Sequence, residues 1–214
     1  MTILLAGATG LVGGALATLL PYERLHLISR RAVDGGLAQT VAPSEEWPAV
    51  VAKLKPATVI STLGTTIRQA GSQAAFRAID YDLVLSVAIA AKATGAQHFI
   101  MVSSVGASAG SSTFYLKAKG EAEEAVKALG FNRVDILRPG LLRGDRQGPI
   151  RWGEQIATMI SPVTDALTPE VLSQFRSVEA VSVAKATAML VGADDGGTYI
   201  HHNREILALS RTIG

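Results

Sequence analysis

Ile3-Leu4-Leu5-Ala6 runs without a polar side chain into Gly7-Ala8-Thr9-Gly10-Leu11-Val12-Gly13. A short apolar run, glycines at every third position and a further apolar stretch read as buried strand, tight turn and helix start. Each glycine has a separate task in such a turn. Gly7 permits the bend, Gly10 lets backbone approach a pyrophosphate, and Gly13 lets helix and strand come close. The helix start adds N–H groups without intrahelical acceptors, which suit an anion. The backbone of Gly7, Ala8, Thr9, Gly10, Leu11, Val12 and Gly13 is therefore expected to hold the phosphates of a dinucleotide.

Beyond this turn, short apolar runs alternate with longer helical periods, the pattern of a parallel sheet with crossover helices. Strands are predicted at Ile3–Ala6, Leu25–Ile28, Thr58–Thr62, Phe99–Val102, Val134–Leu137 and Thr198–His201. A long helix capped by Ser72 carries Phe76, Ile79, Leu83, Val87 and Ala90 on one side and ends at Gly95. Others run from Phe114 to Leu129, before Gly130, and from Val178 to Leu190. The fold class is α/β, a Rossmann-type doubly wound parallel sheet forming one domain over 1–214. The least regular stretch, 140–177, is interrupted by Pro149, Pro162 and Pro169 and follows a strand's carboxyl end. Ligands bind there in open α/β sheets, so this insertion is expected to cover the substrate.

Composition narrows the classes. A chain of 214 residues can bury a core without covalent staples, and the absence of cysteine removes disulfides and thiolate chemistry together. That absence suggests an intracellular, cytoplasmic setting. The uncharged start, Met1–Leu20, is broken by Gly7, Gly10, Gly13 and Gly14, unlike a secretory segment. No stretch reads as a bilayer span, and a net charge of +2 without a basic run gives no nucleic-acid footprint. The expected partner is a small molecule; oligomeric state is not legible.

The second strand ends in Ser29-Arg30-Arg31, where an NAD-binding sheet usually places an acid for the ribose hydroxyls. Two guanidiniums and a hydroxyl suit a 2′-phosphate through charge-assisted hydrogen bonds, so the expected cofactor is NADP(H). Another strand ends in Ser103-Ser104, and Tyr115 and Lys119 follow one turn apart on the next helix. Lys119 borders the apolar stripe of Ala118, Ala122, Val126 and Leu129, and a cofactor ribose would give its ammonium a partner. A neighbouring cation favours a phenolate, which makes a phenol a competent proton shuttle. Tyr115 is thus the candidate acid–base, Lys119 its partner, and Ser103 or Ser104 the hydroxyl holding the substrate oxygen.

Several separated blocks carry a family resemblance: Val102–Ala107, Phe114–Glu121, Leu137–Leu142 with Asp145-Arg146-Gln147, and Leu63–Thr66 with Ala70-Gly71 and Phe76…Asp80-Tyr81. In these the chain resembles the Tat-interacting-protein-like oxidoreductases, atypical members of the short-chain dehydrogenase/reductase superfamily. The resemblance implies NADP(H) on a Rossmann domain, Leu63, Gly64 and Thr65 near the cofactor, and Pro139-Gly140 near the nicotinamide. Two positions depart from the pattern. Ser104 stands closer to Tyr115 than in many relatives, so Ser103 and Ser104 compete, and Asp80 occupies a place where many carry asparagine.

The remaining polar residues point less sharply. His26 and His98 stand apart and His201-His202 lack a third ligand, so no metal site is expected. Arg138, Arg143 and Arg146 flank the expected substrate cover, either as an anion site or as surface charges. Three functions compete: an NADP(H)-dependent oxidoreductase acting on a carbonyl or alcohol, an NADP(H)-sensing regulator without turnover, and a nucleotide-sugar epimerase. The Tyr115/Lys119 pair favours the first, and the little chain left for a sugar pocket disfavours the last.

Overall fold

The computed structural model describes residues 1–144 and 176–212. Its strands are β1 (Ile3–Ala6), β2 (Leu25–Ser29), β3 (Gln39–Val41), β4 (Thr58–Ser61), β5 (His98–Val102), β6 (Arg133–Arg138), β7 (Leu142–Arg143), β8 (Val178–Glu179) and β9 (Gly197–His202). Seven form one sheet in the order β3-β2-β1-β4-β5-β6-β9, with every neighbouring pair parallel. All six expected strands are present. β3 was not legible, because Gln-Thr-Val is too short and too polar to stand out from a loop.

The helices are α1 (Leu11–Ala17), α2 (Trp47–Leu54), α3 (Ile67–Ala70), α4 (Gln73–Arg77), α5 (Val84–Ala93), α6 (Phe114–Ala128), α7 (Ala180–Leu190) and α8 (Asn203–Ser210). The Ser72 hydroxyl caps α4 by accepting from the Ala75 N–H at 3.0 Å. The helix expected from Ser72 to Gly95 is continuous but not uniform: a π-helical segment, Ala78–Leu83, joins α4 to α5. α6 stops where expected, with Gly130 in the left-handed region at φ 70°.

Strand side chains alternate between two cores although nearly all are apolar. Ile3, Leu5, Leu27, Ile60, Ile100 and Leu137 pack on one face against α1, α7 and α8. Leu4, Ala6, Ile28, Val59, Phe99 and Ile136 pack on the other against α2, α5 and α6. Both faces are covered, as a parallel sheet requires. The strand order reverses direction at β1, so the glycine turn lies at the switch point between β2 and β4.

Residues 145–175 of the expected substrate cover, with Arg146, lie outside the described residues. Its flanks are pinned. β7 pairs with β8, and Asn203 accepts from the Gly140 N–H at 2.8 Å while donating to the Arg176 carbonyl at 2.6 Å.

A second tertiary feature gathers residues that stand apart in the chain. Fully buried Asp135 on β6 takes hydrogen bonds from Arg133 at 2.6 and 3.0 Å, and its oxygens lie 2.7 Å from Nε2 of both His98 and His201. Burial alone would raise its pKa, but the hydrogen bonds from His201, His98 and Arg133 outweigh it and hold the carboxyl well below the usual range. A depressed folded-state pKa gives stability that is present above the unfolded value and is lost as pH falls below it. Asp135→Asn should therefore lower stability by about 3–5 kcal/mol near neutral pH. In urea unfolding, the variant should also lose less stability than the parent between about pH 5 and about pH 3.

Candidate functional site

The carboxyl ends of β1, β2, β4, β5 and β6 meet on one edge of the sheet, and every residue expected at the site lies there or on α6. Gly7 has φ 98°, and a Cβ on it would lie 2.5 Å from Thr62 Oγ1. A Cβ on Gly13 would lie 2.2 Å from the Gly7 carbonyl oxygen and 2.6 Å from the same threonine hydroxyl. Those two glycines are demanded by the protein's own packing, because Thr62 fills the space a side chain would need. Its hydroxyl donates to the Ala6 carbonyl at 3.1 Å.

Gly10 differs. A Cβ there would meet only the Gly7 carbonyl oxygen, at 3.3 Å. The fold makes a milder demand for glycine at the centre of the turn. Such a cradle suits a pyrophosphate held by backbone N–H groups. Ala8 and Val12 bury their side chains in the core, so only their backbone can take part, while Thr9 is exposed and Leu11 half-buried.

Beside the cradle, the Ser29 hydroxyl does not face outward as expected. It is buried and donates to the Arg31 carbonyl at 2.5 Å, tightening the turn. Arg30 and Arg31 are exposed and make no ion pair among the described residues.

The largest departure from expectation concerns Lys119. Sequence reading placed it at the rim of the helix stripe with a ribose as partner; the structure buries it and supplies a protein carboxylate. Lys119 Nζ lies 2.7 Å from Asp80 Oδ1, with the two side chains 5% and 0% exposed. Asp80 Oδ2 accepts from the Thr65 N–H at 3.0 Å. A Cβ on Gly64 would come within 3.3 Å of Lys119 Nζ. Asp80 lies within the π-helical segment, a distortion frequent at functional sites. The pair thus joins the Leu63-Gly64-Thr65 turn, the distorted helix and α6 at one point. Burial pushes the Asp80 carboxyl above its ordinary range, against the pull of Lys119 and the Thr65 N–H. Burial also opposes the Lys119 charge, but Asp80, Tyr115 and Glu123 outweigh it and hold the ammonium above its usual value.

Tyr115 is half-buried one turn before Lys119, with its ring 5.3 Å from that of Phe76. The end of β5 is tied to β6. The Ser103 N–H donates to the Leu137 carbonyl at 2.7 Å and the Val105 N–H to the Pro139 carbonyl at 2.9 Å. The Ser103 hydroxyl is buried without a hydrogen-bond partner among the described residues, while Ser104 is half-exposed. The loop after β5 is pressed onto α6 at Gly120, where a Cβ would lie 2.2 Å from the Ser108 backbone. Neither Thr62 nor Gly120 stood out in the sequence, since both act through an approach between distant segments.

Arg138 is not available as an anion site. It forms hydrogen bonds with fully buried Glu123 of α6, one of them from Nε to Oε1 at 3.0 Å. Arg143 is half-buried at the clasp of β7 and β8.

Comparison with known proteins follows this geometry. Residues 39–172 match the family model described as HIM1. Protein FMP52-1, mitochondrial, of Scheffersomyces stipitis is 40% identical over 157 residues, covering 69% of this chain and 70% of that protein. Protein FMP52, mitochondrial, of Coccidioides immitis is 31% identical over 239 residues, covering 99% and 97%. These names correct the expectation of a cytoplasmic setting, which rested only on missing cysteine: the relatives carry mitochondrial names. Among the described residues no helix is long and apolar enough to cross a membrane.

Solved structures share the Rossmann-like fold. UDP-glucose 4-epimerase of Thermotoga maritima with UDP-glucose superposes with TM-score 0.72 at 14% identity, covering 100% of this chain and 82% of that one. The Thermus thermophilus UDP-glucose 4-epimerase complex with NAD gives 0.70 at 18% identity, covering 99% and 83%.

The buried pair yields a direct test. Asp80→Ala should destabilise the protein by about 3–5 kcal/mol, because it leaves an uncompensated buried ammonium. Asp80→Ala/Lys119→Met should recover most of that loss, and a double-mutant cycle from denaturant unfolding measures the coupling.

Proposed function

This chain belongs to the HIM1 family, and on that premise we propose that it is an NADP(H)-dependent oxidoreductase. Its substrate is a small molecule carrying a carbonyl or alcohol group, rather than a nucleic acid or a membrane. The observation that carries the reading is the convergence on one sheet edge of a glycine cradle, two exposed arginines and the Tyr115/Lys119/Asp80 group. The NAD named with the Thermus thermophilus epimerase supports a nicotinamide dinucleotide in this fold. Arg30 and Arg31 favour its 2′-phosphorylated form. The resemblance of several sequence blocks to the Tat-interacting-protein-like oxidoreductases favours hydride transfer as the reaction.

In this reading the backbone of Gly7–Gly13 holds the pyrophosphate, and Arg30 and Arg31 meet the 2′-phosphate. Leu63, Gly64, Thr65 and Pro139 border the remainder of the cofactor. NADPH held there would supply the hydride for the carbonyl carbon, becoming NADP⁺. The Tyr115 hydroxyl proton passes to the carbonyl oxygen, so that the product is the alcohol. Lys119 has three N–H donors; Asp80 engages its charge, and the others serve the ribose and the phenol. Ser104, the more accessible of the two serines, holds the substrate oxygen.

NADPH should bind at least about tenfold more tightly than NADH, a preference of about 1.4 kcal/mol that one charge-assisted contact can supply. Fluorescence titration measures it, and Arg30→Ala/Arg31→Ala should erase it. Equal affinities in the parent would remove the NADP(H) assignment.

Tyr115→Phe should leave NADPH affinity nearly unchanged while turnover falls by about 10²–10⁴-fold. The assay follows NADPH oxidation with a reactive carbonyl compound found by screening a panel. Parent-like turnover in Tyr115→Phe would make the residue core packing. Tight NADPH binding without turnover across the panel would favour the sensing role.

A further inference from the structure

The edge strand β3 carries one side chain whose polar contacts all turn back onto the preceding loop. Gln39 Oε1 accepts from the Val33 N–H at 2.9 Å, and Gln39 Nε2 donates to the Val33 carbonyl at 2.7 Å. One primary amide thus pairs with both backbone groups of a single residue, bracketing the loop between β2 and β3. Other contacts pin the same loop. The Ser29 hydroxyl donates to the Arg31 carbonyl, the Leu27 N–H donates to the Ala38 carbonyl at 2.8 Å, and Leu37 is buried in the core. Gly35 and Gly36, at φ 112° and 72°, supply left-handed backbone in the same loop, which leads into β3 parallel to β2. These contacts fix backbone, while the Arg30 and Arg31 side chains stay exposed, without an ion pair among the described residues.

We infer that Gln39 is a specificity-determining positioning residue, whose bracket on Val33 holds Arg30 and Arg31 in place for the 2′-phosphate of NADP(H). The inference rests on the NADP(H) reading above. A loop free to move would have to be ordered when its arginines engage the phosphate, and prior ordering removes that cost from binding. NADH has no 2′-phosphate for the arginines to meet. Loss of the bracket therefore acts on NADPH alone, whereas general damage to the sheet edge acts on both dinucleotides.

Gln39→Ala and Gln39→Met, the second close to glutamine in volume, test this by fluorescence titration of the full chain with NADPH and with NADH. Both variants should weaken NADPH binding by about fivefold to tenfold and leave NADH within about twofold, as expected for lost preorganisation. Thr40→Val, which breaks the 2.8 Å contact between Thr40 and His26 on the same edge, should keep the parent ratio. Parent-like preference in both folded Gln39 variants would overturn the positioning role and leave the arginine reading intact. A parent without preference for NADPH removes the NADP(H) reading and this inference with it, whereas a preference that survives Arg30→Ala/Arg31→Ala removes the arginines' role, and this inference with that.

Discussion

An ammonium buried to the depth of Lys119 cannot stay charged without a carboxylate, and the candidate site is organised around the one it has. Asp80 lies 2.7 Å away, and its second oxygen takes the Thr65 N–H. Two charges leave water together, and the attraction between them must offset that loss, which demands close and fixed geometry. The π-helical segment brings Asp80 to Lys119, while the Thr65 turn and Gly64 close over the pair. Tyr115, one turn away on α6, inherits its position from the same anchoring. The chemistry proposed for the phenol depends on a lysine whose own place is set by electrostatics.

The same device recurs along the sheet. Glu123 of α6 is fully buried and satisfied by Arg138 at the end of β6. Asp135 is fully buried and satisfied by Arg133, with His98 and His201 beside it. Glu123 and Arg138 tie α6 to β6, while Asp135 reaches β5 and β9 through His98 and His201, and in each case the acid is fully buried. Arginine reaches such carboxylates with several donors, which is how Arg138 becomes a structural cation. The exposed arginines, Arg30 and Arg31, stand in contrast. Their loop is fixed through backbone, and their charge is left at the surface.

The glycine turn separates two demands that its sequence presents alike. Gly7 and Gly13 leave room for Thr62, and that demand exists in the protein alone. Gly10 faces a milder one, which leaves its place in the turn to what the cradle holds. The identity between this chain and its FMP52 relatives extends beyond the cradle, and the fold it shares with the sugar-nucleotide epimerases is common ground for more than one chemistry.

By itself, the sequence determined the parallel sheet, the helices capped by Ser72 and closed by Gly130, and the turn at Gly7–Gly13. These follow from local periodicity and from residues that punctuate the chain where they stand. It also put Tyr115 and Lys119 on one helix, because a spacing of four residues is a local fact. Only the tertiary structure decided that Lys119 pairs with Asp80, that Ser29 turns inward, that Arg138 serves Glu123, and that Gln39 brackets Val33. It likewise decided that His98 and His201 share Asp135, although His98 read as isolated and His201 only as the neighbour of His202. Burial and charge pairing depend on which distant segments the fold brings together, and no periodicity within a segment records its partner.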